Sequence, residues 1–282
     1  MGFGECMFES IGMKYKKPTD NLPHENMYGH LKRLNWIISH IREQDSIIEF
    51  GCGTGYMISY PLIKMGYSNL TGIDLDEESI TYGQRFFELE NLNRDYLKAM
   101  DISRLDKTVD VVIASEVFEH IESRQLDQVM KNIGDKLNPR GRLLVTVPNG
   151  YGCFEIESFL WNKVGLGKLL KWLLIIPVIT RIKRVIFGRN VVEFPYVATL
   201  AGSPHVQRFT YNSIKKLLQD NGFEVIHITG STLFAGPLSD LLFTGIKPVM
   251  YFNCLLGKWF PRIASGFYLS CRRMSAEKAN IE

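Results

Sequence analysis

The sequence predicts an α/β fold, a doubly wound and mostly parallel sheet. Three observations carry this expectation. Apolar runs alternate with amphipathic stretches from about residue 46 to 147, as strands and crossover helices do. The first run, SIIEF, passes straight into a glycine turn, GCGTG. The second run, NLTGIDLD, ends in acid.

The elements follow in order. Residues 1–45 form an N-terminal helical lead-in, loose over 1–24; beyond it Met27, Leu31, Leu34, Ile37, Ile38 and Ile41 recur at helical spacing. Strands are expected at 46–50, 69–76 and 96–100, with helices at 54–66 and 77–90. Residues 109–114 are almost purely apolar, as a central parallel strand requires. A helix at 124–137 is closed by an NPRG turn, and a strand follows at 142–147. A helix at 211–220 ends before Asn221-Gly222, followed by strands at 223–229 and 267–271. The whole of 1–282 reads as a single domain.

Composition narrows the function. At 45% hydrophobic and 22% charged, the chain is neither disordered nor fibrous. Lys and Arg number 33 against 30 acids, too even a balance to announce a nucleic-acid binder. Cys6, Cys52, Cys153, Cys254 and Cys271 are scattered, with no CxxC. Neither a disulfide framework nor a zinc finger is expected, and a reducing, cytoplasmic setting fits. The opening MGFGECMFES lacks the basic start and apolar run of a signal peptide.

Two apolar segments, 155–200 and 231–264, do not belong to the bare sheet. Neither has the about 18–20 uninterrupted apolar residues of a membrane span. Lys168, Lys171 and Pro177 interrupt the first; Asp240 and Lys247 interrupt the second. Both read as helical insertions forming a lid over the substrate site. Residues 156–190 hold Lys163, Lys168, Lys171, Arg181, Lys183, Arg184 and Arg189 against one acid, Glu157. Such a stretch suits an ordinary lid helix, an anionic substrate or peripheral contact with an anionic membrane. The second insertion adds Phe234, Phe243, Tyr251, Phe252, Trp259 and Phe260. These could roof a lipid-linked or aromatic acceptor, or form a homodimer interface.

Gly51, Gly53 and Gly55 sit where a strand hands over to a helix. Without Cβ atoms the backbone can adopt positive φ and approach a ligand, and the helix start favours a negative group. The G-x-G-x-G spacing departs from the dinucleotide fingerprint. Asp74 closes the next strand, where a carboxylate can accept ribose hydroxyls. Asp76 suits a helix N-cap. Asp101, after the third strand, suits either an adenine amino group or a loop.

IIEFGCGTGY, GIDLD, VDVVIASEVFEHI and GRLLVTVPN, in this order and spacing, resemble the class I S-adenosylmethionine-dependent methyltransferases. HVQRFTYNSIKKLLQDNGFEVI resembles the tail of the subgroup containing the ubiquinone-biosynthesis O-methyltransferases. The resemblance covers about 46–149, 205–230 and the last strand. It implies a Rossmann-like, seven-stranded sheet with an antiparallel last strand. It also implies that Glu49, Gly51, Cys52, Gly53 and Gly55 line the methionine end of S-adenosylmethionine. Asp74 would hold the ribose, Leu75 would flank the adenine, Asp101 and Ile102 would meet its edge, and Ser115 would lie beside the sulfonium.

In SEVFEHI, Glu116, Glu119 and His120 stand at i, i+3 and i+4, one face of a helix. Two carboxylates and an imidazole can hold a divalent metal such as Mg. Ubiquinone-type and small-RNA 2′-O-methyltransferases resemble this pattern and use it for a metal, the latter with a distant histidine; His205 stands in a comparable place. The same residues without metal leave His120 as a general base, with Glu116 beside it, or merely as an orienting histidine.

The expected function is methylation of a hydroxyl on a small or lipid-linked acceptor. The alternatives are an N- or C-methyltransferase on a small metabolite such as an amino sugar, and a noncatalytic cofactor-binding or membrane-docking protein. Nucleic acid is disfavoured, because the basic residues cluster in an apolar insertion rather than a polar groove.

Overall fold

Seven apolar runs pair into one sheet: β1 (Ile47–Phe50), β2 (Leu70–Asp74), β3 (Leu97–Ala99), β4 (Val109–Ser115), β5 (Leu137–Pro148), β6 (Phe223–Gly230) and β7 (Gly266–Arg273). The order is β3-β2-β1-β4-β5-β7-β6. Only β7 runs against its neighbours. The computed structural model describes residues 27–187, 197–202, 204–243 and 246–274. The loose lead-in at 1–24 lies outside the described residues. So do 188–196 of the first insertion, 244–245 of the second, and the side chains of Met27 and Leu31.

Both faces of the sheet are covered because its central strands are apolar on both. On β4, Val111 and Ile113 face a core with Leu34, Leu62, Phe86 and Phe87. Val112 and Ala114 face a second core with Leu126, Met130, Ile133 and Ile214. The first core is roofed by α1 (Met27–Ile38), α2 (Ser59–Lys64) and α3 (Glu77–Leu89). The second is roofed by α4 (Ser123–Lys136) and α8 (Tyr211–Asp220). Asp76 caps α3 through Ser79 N (3.1 Å), and Thr210 and Ser213 cap α8 reciprocally.

Two elements differ from expectation. The helix expected over 54–66 is reduced to Ser59–Lys64. Pro61 has no N–H to donate, so it is accommodated only in a first helical turn. The NPRG turn does not end an element but loops out within β5. Val109 pairs with Leu137 and Val111 already with Arg142. Asn138 Nδ2 pins this bulge to Asp110 Oδ1 at 2.7 Å.

The described residues of both insertions include helices. The first holds α5 (Cys153–Ser158), a π turn (Phe159–Lys163), α6 (Leu166–Trp172) and α7 (Ile175–Phe187). The second holds α9 (Pro237–Phe243) and α10 (Lys247–Trp259). α9 packs on α5 and α7, while α10 packs on α1 and β6. Among the described residues, no helix is long and apolar enough to cross a membrane.

Gly83 shows how tightly α3 sits on the glycine turn, since a Cβ there would lie 2.2 Å from Thr54 O. Alanine is the better helix former by about 1 kcal/mol, but overlap with a main-chain oxygen outweighs that gain. Gly83→Ala should therefore lower the melting temperature, and a rise would contradict this packing.

Candidate active site

β1 has β2 on one side and β4 on the other, so the chain winds away from this point in both directions. Crevices at the carboxyl ends of strands open at such switch points. The turn after β1, Asp74 at the end of β2 and Ser115 at the end of β4 all lie on this edge.

The turn is left-handed at Gly51, Gly53 and Gly55, with φ of 69°, 55° and 71°. A side chain would be strained at each. Gly51 and Cys52 donate their N–H groups to Ile73 O. Gly53 N donates to Asp74 Oδ2 at 2.7 Å, and Asp76 N donates to Asp74 Oδ1 at 2.9 Å. The acid at the tip of β2 is thus held against the turn, with Leu75 71% exposed beside it. Asp101 lies after β3 and caps a 3-10 turn through Ser103 N (2.7 Å), while the Ile102 side chain is buried in the second core.

Beneath the turn, Glu49 is buried and accepts bonds from Ser59 N (2.8 Å) and Ser59 Oγ. Burial raises its pKa to about 7. Burial also lifts the Cys52 thiol well above its ordinary value, followed by the effect of Glu49. A thiol held protonated in this way is no nucleophile.

Over the turn runs Val197–Leu200. Thr54 N donates to Ala198 O (2.9 Å), Thr54 Oγ1 to Val197 O (2.7 Å), and Leu200 N to Ser79 Oγ (2.8 Å). A Cβ on Gly53 would lie 2.3 Å from Ala198 O.

At the tip of β4, Glu116 takes a left-handed φ of 56°. Phe118–His120 is a 3-10 turn, so the expected helical face does not form. Glu116 turns instead to partners on β5 and α1. Its Oε1 accepts from Thr146 Oγ1 (2.9 Å) and lies 3.6 Å from Arg33 Nη1. Ser115 Oγ pairs with the same Thr146 hydroxyl at 2.9 Å.

Glu119, His120 and His205 do come together, with one donor atom from each within 4.8 Å of the others. Glu116 is outside this group. Main-chain bonds from Val206 N (2.9 Å) and Gln207 N (3.1 Å) to Glu119 O dock the His205 segment on the turn. His120 Nδ1 lies 3.2 Å from Pro204 O. A carbonyl only accepts, so Nδ1 carries the proton and Nε2 is an acceptor. Glu119 is buried, its Oε2 has no hydrogen-bond partner among the described residues, and burial followed by Glu116 raises its pKa to about 9. Burial, then His120, lowers the pKa of His205.

Sequence reasoning missed Arg33 and Thr146. Arg33, half-buried on α1, contacts His30 Nδ1 (3.2 Å) and lowers the pKa of both Glu49 and Glu119. Its one signal was a cation set among the apolar positions of an amphipathic helix.

A family model described as a methyltransferase domain matches residues 28–228. The chain belongs to this methyltransferase family. Its relatives include the ubiquinone biosynthesis O-methyltransferase of Rickettsia bellii (strain OSU 85-389), 32% identical over 124 residues, which are 42% of this chain and 50% of that protein. The namesake from Rickettsia typhi (strain ATCC VR-144 / Wilmington) is 30% identical over 157 residues, 50% of this chain and 62% of that one. The chain spans about half the length of the first of these relatives. Among solved structures, magnesium protoporphyrin IX methyltransferase from Synechocystis PCC 6803 with bound SAH aligns at TM-score 0.52 and 16% identity, covering 96% of this chain and 94% of that one. An S-adenosylmethionine-dependent methyltransferase from Clostridium acetobutylicum ATCC 824 aligns at TM-score 0.52 and 12% identity, covering 90% and 93%. Both share the Rossmann-like fold.

Glu49 makes folding depend on pH. Its carboxyl titrates at about 7 in the fold against 4.5 ordinarily. The folded state holds a proton that the unfolded chain has lost, so this stability is present below the lower value and disappears as pH rises through the upper one. Relative to Glu49→Gln, the natural protein should lose melting temperature as pH rises from about 4.5 to about 7. A difference independent of pH would count against this.

Proposed function

We propose that the protein moves the methyl group of S-adenosylmethionine to a hydroxyl of a small or lipid-linked acceptor. The observation that carries this is the Asp74 carboxylate hydrogen-bonded to the glycine turn, with Leu75 exposed beside it. A carboxylate there suits ribose hydroxyls, a bare apolar side chain suits a purine face, and the nearby Arg33 guanidinium suits a carboxylate tail. When bound, the cofactor supplies an electrophilic methyl on its sulfonium. The relatives named O-methyltransferases support a hydroxyl acceptor.

Glu119, His120 and His205 fit a divalent cation: one buried carboxylate oxygen without a partner among the described residues and two imidazoles, one with its tautomer fixed by Pro204. Such a cation would supply Lewis acidity to the acceptor oxygen. The chain's own part is to orient the acceptor and to take its proton. Where no cation occupies the two imidazoles, the Nε2 of His120 is suited to that. Glu116 orients Thr146 and Ser115.

Titration calorimetry tests the cofactor. Asp74→Asn should weaken S-adenosylmethionine by about tenfold or more, and unchanged affinity would remove Asp74 from the ribose role. Transfer of a labelled methyl to extracted metabolites tests the activity. Chelation should abolish that transfer and added Mg should restore it, whereas full transfer after chelation would rule out the metal.

A further inference from the structure

Helix α7 turns its apolar side outward. Ile175, Val178, Ile182, Val185 and Ile186 are all exposed, and at about 100° per residue they form one stripe. The opposite flank, with Lys183 half-buried near Asp240, faces α9.

The turn before α7 is equally bare. Trp172, Leu173 and Leu174 are 78%, 49% and 63% exposed. Leu174 also holds a left-handed φ of 59°, which is costly for a leucine. A strained, apolar, exposed tip has no stabilising role in water.

Within 156–187 the exposed charge is of one sign. Lys163, Lys168, Lys171 and Arg181 are exposed. The one acid in 156–187 is Glu157, buried with its Oε2 accepting from Ser239 N at 2.7 Å. A second copy of the chain on the same patch would oppose these cations to one another. An anionic lipid surface would neutralise them and bury the apolar stripe. With 13 residues, α7 is about 20 Å long, too short to cross the hydrocarbon core of about 30 Å.

We propose that the α6–α7 hairpin docks this protein on an anionic bilayer, with Trp172, Leu173 and Leu174 dipping into the interface, the α7 stripe lying along it, and Lys168, Lys171 and Arg181 among the headgroups. This stands apart from the methyl-transfer reading, because no residue of the candidate active site takes part.

Vesicle sedimentation of the full chain tests it. Phosphatidylglycerol–phosphatidylcholine vesicles should pellet the protein and shift its tryptophan emission to the blue, while phosphatidylcholine alone should not. Lys168→Glu/Lys171→Glu/Arg181→Glu and, separately, Leu173→Asp/Leu174→Asp should each weaken sedimentation by about tenfold or more. Leu174→Gly should weaken it while leaving the melting temperature level or higher, since it relieves the left-handed strain. Calorimetry with S-adenosylmethionine on the same variants separates this proposal from the cofactor reading and should show unchanged affinity. No sedimentation with either vesicle, or equal sedimentation with both, would overturn the proposal. So would a dimer in size-exclusion chromatography that Leu173→Asp/Leu174→Asp breaks without any vesicle binding.

Discussion

The Gly53 N–H donating to the Asp74 carboxylate at 2.7 Å fixes the tip of β2 against the turn after β1. Gly53 makes this bond from a left-handed backbone, at a φ of 55°. Parallel pairing of β1 with β2 sets the spacing, with Phe50 opposite Ile73, one residue short of both features. α3 then packs on the turn so closely that Gly83 has no room for a side chain.

The acids around this bond lie in a dry setting. Glu49 and Glu119 are buried, and burial is the leading cause of both raised pKa values. A carboxylate in such a place needs a partner or a proton. Ser59 serves Glu49 and Thr146 serves Glu116, while one oxygen of Glu119 has no partner among the described residues. Arg33 is the cation common to all three acids. Helix α1 therefore contributes to the site as well as to the core.

The segment 197–202 and the His205 loop come from the end of the first insertion and the stretch that joins it to α8. Both are tied to the Rossmann-like edge by main-chain bonds, at Thr54 and at Glu119. The end of the first insertion thus reaches the candidate site. It brings the chain back across the glycine turn and sets a second imidazole beside His120, at 4.8 Å between ring centroids.

Much of this was legible in the sequence. Apolar runs such as 109–114 must be strands buried on both faces, and GCGTG after the first of them can only be a turn, because glycines there carry the positive φ. Asp76 is the N-cap its position suggested, because that role needs a carboxylate one step before the helix. What local pattern could not decide was the direction of Glu116. Helical spacing put it with Glu119 and His120, but a left-handed residue before a 3-10 turn sent it to Thr146 and Arg33. That choice rests on groups from β5 and α1, far away in sequence. Likewise, composition could name the basic, apolar insertion, but only tertiary packing settled which side of α7 meets α9 and which is left bare.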